Sequence, residues 1–316
     1  VRIPRPLVDG TRRALRGIAR RDAARRMMLR TARELTNAVD DMYGDRYYGC
    51  GTKTTAAGRV SGYESYDRQS SNADVAAYML WRHFPLRRSL DVGCALGFVV
   101  EALRELGVEA YGVDVSQFAV DHAAPGARGF LQRGDLGSGL PFPDGHFDLV
   151  SALEVLEHLE PRHVPAALRE LRRLTSAYAV VTTPSFGANP AGPDGWFNGK
   201  VRDERLDHYR SLGPSYQGPV PYQDLMRDAD GNPIEGHLTI ASFSWWTQRF
   251  AEAGLQRDVD AERRILPTVE RFGLLPYWNL YVLRVAGMPS PPEVLRDDAE
   301  LAGLEERWGL PARAAG

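Results

Sequence analysis

Leu90-Asp91-Val92-Gly93-Cys94-Ala95-Leu96-Gly97 combines a carboxylate with small residues at every second position, between an apolar run and an amphipathic one. A bend of this kind lets the main chain turn tightly and approach a ligand that a Cβ would push away. The spacing is G-x-A-x-G, which differs from the G-x-G-x-x-G of dinucleotide binders. A pyrophosphate favours a helix N-terminus without a carboxylate beside it. With Asp91 just ahead of the bend, the pattern favours a nucleotide-like ligand that carries a zwitterionic amino-acid group and a cation.

Other chemistry-bearing residues recur at the ends of short apolar runs. Asp114 closes Gly112-Val113-Asp114-Val115, and Gly134-Asp135-Leu136 follows the next run. Leu153-Glu154-Val155-Leu156-Glu157-His158-Leu159 follows a fourth, and Glu235-Gly236-His237-Leu238-Thr239 lies further on. Histidine is the side chain best suited to moving a proton near neutral pH, so His158 and His237 are the candidate catalytic groups. For His158 the alternative is a helix-start residue bonded to backbone. Asp207-His208-Tyr209, with Asp203 nearby, reads as a substrate contact or as a solvent-facing loop; spacing alone does not make it a metal centre, and no metal is assigned.

These residues need a scaffold that presents strand ends on one side. From residue 87 the chain alternates apolar strands (89–92, 109–113, 129–132, 147–152, 177–183) with amphipathic helices (98–106, 117–123, 165–174), the signature of a parallel sheet covered on both faces. A helix at 244–253 and strands near 256–261 and at 277–285 complete an α/β, doubly wound, Rossmann-like sheet of seven mostly parallel strands. Residues 1–84 read as an N-terminal helical and loop extension. Met28, Ala32, Leu35, Val39 and Met42 form one apolar stripe, tyrosines and glycines fill 43–70, and Ser71 and Asn72 offer an N-cap to a helix from Ala73 to about Phe84. The catalytic domain spans 85–286, interrupted after its fifth strand by a proline- and glycine-rich insertion at 185–240 with the character of a binding loop. A tail helix around 293–308 ends the chain.

The segment Asp91 to Gly97 resembles motif I of the class I S-adenosylmethionine-dependent methyltransferases, with Ala95 in place of the middle glycine. The resemblance extends over about 87–185 and implies S-adenosyl-L-methionine as cofactor. It implies that Asp91, Gly93, Ala95 and Gly97 surround the amino-acid end. Asp114, with Val115, would then take the ribose hydroxyls, Asp135 and Leu136 the adenine, and Glu154 the methionine end. Related enzymes often carry a histidine before the helix that here contains Trp245 and Trp246, which places His237 near the acceptor. With Lys53 and Lys200 its only lysines, the chain looks like natural-product methyltransferases of GC-rich actinobacteria that tailor aminoglycosides and other glycosides.

Charge narrows the acceptor. The first 36 residues carry eleven arginines against three acids, leaving 28 basic and 38 acidic residues downstream. An acidic body repels a phosphate backbone and concentrates cationic small molecules. No Asn/Asp-Pro-Pro-aromatic motif follows the fourth strand, which also argues against a nucleic-acid methyltransferase. Within the insertion, eight acids accompany Trp196, Phe197, Tyr209, Tyr216 and Tyr222. Carboxylates and aromatic faces together suit a cationic, polyhydroxylated glycoside, with Asp207, His208, Tyr209, Tyr222 and Glu235 as the expected contacts. N-methylation of an amino sugar in antibiotic biosynthesis is the expected reaction, with O-methylation of a sugar or phenolic hydroxyl as the alternative. Cys50 and Cys94 have no metal-ligand or disulfide spacing and read as free thiols. With no apolar span or signal segment, a cytoplasmic protein without membrane association is expected. The N-terminal stripe allows a homodimer.

Overall fold

The computed structural model describes residues 43–48, 53–54, 60–61, 66–195, 201, 203–212, 215–227, 231–273 and 279–311. The expected helix at 1–42, Cys50, the aromatic pair Trp196 and Phe197, and the start of the expected strand at 277 lie outside them.

Seven strands form the main sheet: β1 (Arg88–Val92), β2 (Glu109–Asp114), β3 (Leu131–Arg133), β4 (Phe147–Leu153), β5 (Thr175–Thr182), β6 (Leu255–Arg257) and β7 (Leu280–Val285). Their order is β6-β7-β5-β4-β1-β2-β3. β7 runs antiparallel to both neighbours, and the remaining pairs are parallel. Side chains alternate between two cores, as a strand requires: Leu149, Val180 and Val282 face one, Val150, Val181 and Leu283 the other. Both faces are covered, so the inner strands read as continuous apolar runs.

The helices are α1 (Asp45–Tyr48), α2 (Ala73–His83), α3 (Phe98–Glu105), α4 (Gln117–Asp121), α5 (Val164–Leu174), α6 (Asp203–Leu212), α7 (Phe243–Glu252), α8 (Val259–Arg271) and α9 (Asp298–Arg307). Buried residues of α2, α3, α8 and α9 share the first core, and those of α5 and α7 share the second. No helix among the described residues is long and apolar enough to cross a membrane.

Four local expectations need correction. The stretch expected as a strand to Ala261 is a three-residue strand followed by α8. The Asp258 carboxylate accepts from Ala261 N and caps that helix, and Pro267 inside it disguised an otherwise regular apolar stripe of Ala261, Ile265, Leu266 and Val269. Asn72 does precede α2, but in the left-handed region and with no side-chain capping bond. The tail helix begins only at Asp298, because Asp297 accepts from the amides of Ala299 and Glu300 and sets its start. The insertion contains an ordered helix, α6, and closes where Ser185–Phe186 pairs with Ala241–Ser242. Arg257 and Glu262, both buried, tie the start of the insertion to the sheet edge: Arg257 donates to Asn189 at 2.7 Å, and Glu262 accepts from Val282 N.

Candidate active site

At the carboxyl ends of β1, β2 and β4 the central strands converge, so the bend after β1 meets the loops after its two neighbours. Gly93 has φ +68°, and a Cβ there would stand 2.5 Å from Val155 Cγ2. Gly97 has φ +78°, and a Cβ there would meet Leu131 at 2.5 Å and Ala127 at 2.9 Å. Glycine is therefore required at both positions, by backbone conformation and by crowding. Ala95, with φ 49°, is a left-handed residue that carries a Cβ. Gly93 N and Cys94 N both donate to Val113 O, which fastens the bend to β2.

Asp114 sits at the end of β2 and is buried. Its Oδ2 accepts from Ala95 N at 2.9 Å and its Oδ1 from Ser116 N at 2.8 Å. Burial pushes its carboxyl up from the usual range, while the amides of Ser116, Ala95 and Val115 pull it back. Asp91 is more completely enclosed. Burial raises it to about 7, against the Ser151 hydroxyl that donates to it at 2.7 Å. A carboxyl raised this far takes up its proton on folding, so its contribution to stability is intact below about pH 4 and is lost as pH climbs towards 7. Asp91→Asn removes that ionisation and still accepts from Ser151. Thermal melts of the ligand-free protein are expected to show the variant more stable by about 4 kcal/mol at pH 8, with the difference gone at pH 4.

The residues expected on the acceptor side lie in the loop after β4 and the turn before α7. Glu154 opens the first with φ 55°, and its amide donates to Thr182. The Glu157 carbonyl accepts from Leu238 N at 2.7 Å and Thr239 N at 2.9 Å, joining the two segments. The His158 and His237 rings consequently stand edge to face with centroids 5.1 Å apart. His158 Nδ1 lies 3.3 Å from the Gly236 carbonyl, which can only accept, so Nδ1 donates there. His237 is buried, with Nε2 3.9 Å from Glu157 Oε1 and 3.6 Å from Glu235 Oε2. Burial and the neighbouring Glu154 push the Glu157 carboxyl well above the usual range. Among the described residues, Glu157, His158 and His237 each offer one ligand atom within 4.8 Å of the others, a set of donors able to hold a cation.

The remaining expected residues divide clearly. Val115 follows Asp114, and its carbonyl accepts from Arg133. Asp135 is exposed after β3, its carboxylate engaged by Gly137 N and Ser138 Oγ of its own turn, while Leu136 is buried beside Val113 and Leu140. Among the expected acceptor contacts, Glu235 is brought to the histidine pair. Asp207 and His208 are exposed on α6. Tyr222 is exposed beneath the Arg227 guanidinium, 4.3 Å from its ring. Tyr209 is buried in the insertion's own core with Phe186, Val201, Val220, Leu225 and Ile240, and donates to Asp224 at 2.6 Å. That geometry makes Tyr209 a brace for the insertion. Tyr209→Phe is expected to cost about 1 kcal/mol in thermal stability and to leave affinity for S-adenosylhomocysteine unchanged by calorimetry.

Sequence reading passed over Glu157, although it adjoins His158, and over Tyr43 and Tyr48, which read only as loop residues. Tyr48 is buried against Ala95 and Ala119, stacked on Phe118. Nothing local announces such contacts, since they span more than forty residues of chain.

Residues 90–180 match the family model described as a methyltransferase domain. The chain is 28% identical over 138 residues to ajmaline N-methyltransferase of Rauvolfia serpentina, covering 42% of this chain and 46% of that one. It is 33% identical over 93 residues to the ubiquinone biosynthesis O-methyltransferase of Methylococcus capsulatus, covering 28% and 39%. It thus spans less than half the length of these curated relatives. Among solved structures, the CcbJ methyltransferase of Streptomyces caelestis aligns with TM-score 0.43 at 19% identity, over 68% of this chain and 90% of that one. The glycine bend fastened to β2, the sheet order and the matched segment agree: residues 90–180 are similar to a methyltransferase domain and lie on a seven-stranded, mostly parallel, Rossmann-like sheet.

Proposed function

We propose that the protein N-methylates a small cationic acceptor, an amino sugar of the aminoglycoside type, with S-adenosyl-L-methionine as donor. The observation that carries this reading is the buried His237 between Glu157 and Glu235, edge to face with His158. Carboxylates around the acceptor attract an ammonium group, and an imidazole takes the proton that nitrogen must lose before it attacks.

The bend fits the donor. Its glycines take up the positive φ that turns the main chain at the strand end, and Asp114 presents a braced carboxylate to the ribose hydroxyls. The bound donor supplies an electrophilic methyl on a sulfonium. The residues of this chain align the acceptor nitrogen and exclude water; the His158 imidazole first takes the ammonium proton, and the freed nitrogen lone pair then forms the N–CH3 bond as the S–CH3 bond breaks. Similarity to an N-methyltransferase supports nitrogen as the attacking atom. The excess of acids over bases beyond residue 36 supports a cationic acceptor over nucleic acid. The test is incubation with methyl-labelled donor and a panel of aminoglycoside intermediates, read by mass spectrometry and product NMR. A new methyl on nitrogen is expected. A methyl found on oxygen would replace the reading with O-methylation of a hydroxyl, and no transfer to any amine in the panel would remove the amino-sugar assignment.

A further inference from the structure

Tyr43 stands where the donor and acceptor halves of the site meet, although it precedes the sheet. Its carbonyl accepts the Ser116 hydroxyl at 2.7 Å, and the same Ser116 oxygen caps α4 two residues after Asp114. Its ring meets His158 edge-on, with centroids 6.0 Å apart and planes at 88°. A Cβ built on Gly236 would stand 3.8 Å from the Tyr43 hydroxyl oxygen and 3.3 Å from His158 Nδ1, so ring and hydroxyl border the turn that holds His237. Five residues on, Tyr48 packs against Ala95 and Ala119 and stacks on Phe118 at 5.9 Å with planes 4° apart. Burial, with the Asp114 and Glu157 carboxylates nearby, pushes the Tyr43 phenol up and keeps it a neutral donor.

We propose that Tyr43 is a positioning residue that couples the donor bend to the acceptor turn. Tyr48 rests α1 on the donor bend and Ser116 fixes the Tyr43 main chain. The Tyr43 ring then holds His158 and the turn at 234–237 in place. Filling the donor cleft stiffens Ala95 and Asp114, and through Ser116 and Tyr43 it firms the acceptor turn before any acceptor arrives. Donor binding therefore precedes and prepares acceptor binding. The inference rests on the methyl-transfer reading for its use but not for its test.

The test is amide hydrogen exchange on the full chain with and without S-adenosylhomocysteine, the donor product. In the wild-type protein this probe is expected to slow exchange about tenfold both at 93–97 and at 234–239. In Tyr43→Ala the slowing at 93–97 persists and that at 234–239 disappears, while Tyr43→Phe, which keeps the ring, restores it. Ser116→Ala, which releases the Tyr43 carbonyl, gives the same loss and serves if Tyr43→Ala fails to melt cooperatively. Equal slowing at 234–239 in Tyr43→Ala, or none there in the wild type while 93–97 is protected, overturns the coupling. The acceptor panel independently decides whether an amine is methylated, so failure of either idea is visible without the other.

Discussion

Asp114→Ala is expected to lower affinity for S-adenosylhomocysteine roughly a hundredfold by isothermal titration calorimetry. Two effects act in the same direction. The substitution removes a charged acceptor for two ribose hydroxyls, and hydrogen bonds to a charged group are worth roughly 1.5–3 kcal/mol each. It also releases Ala95 N, held at 2.9 Å, and with it the left-handed residue at the centre of the bend. A combined loss of about 3 kcal/mol corresponds to that hundredfold change, because the two effects share one side chain and do not add in full. Asp114→Asn separates them. Its amide oxygen still braces one of the two amides, so an intermediate loss of about tenfold is expected. Unchanged affinity in Asp114→Ala would restrict Asp114 to bracing the bend and would move ribose recognition elsewhere.

The positions of the residues proposed for the donor were largely legible in the sequence, because that information is local. Asp91, Gly93, Gly97 and Asp114 act at strand ends that hydrophobic alternation locates to within a residue or two, and their roles follow from backbone geometry next to those ends. Asp135 shows the limit of that logic. It stands after β3 as expected, but its carboxylate turns into its own loop through Gly137 and Ser138, a common preference of aspartate. The acceptor half depends on contacts distant in sequence. His158 and His237 were each visible, but not that Glu157, through its carbonyl, brings their segments together. Tyr209 looked like a ligand contact because an aromatic beside two polar residues in a loop resembles one. The helical period that buries it was hidden by the prolines and glycines around α6. The strand expected to run to Ala261 failed for a related reason: Asp258 ends β6 and starts α8 within four residues, too short an interval for a periodic signal to separate them.

The histidine pair carries the largest catalytic effect. His158→Ala is expected to lower kcat by about 10²–10³, the usual worth of a positioned general base, while affinity for S-adenosylhomocysteine changes less than about twofold. Placement supports this role, since the Gly236 carbonyl holds His158 through Nδ1 and its ring stands edge to face with His237. His237 acts through its neighbours. Burial and Glu154 push the Glu157 carboxyl up, which disfavours its charged form, and Glu235 stands nearer to His237, at 3.6 Å against 3.9 Å. Two consequences follow. Glu157→Gln, which preserves a neutral hydrogen-bonding group of the same shape, should retain most turnover, whereas Glu235→Gln should slow it further. If the imidazoles pass one proton between them, 5.1 Å apart, the double variant should be no slower than the worse single variant, because removing either ring interrupts the same transfer. Multiplicative losses would instead assign the two histidines to separate tasks, one on the proton and one on the acceptor. Wild-type turnover in both single variants would leave alignment of the two reacting centres as the entire source of the rate.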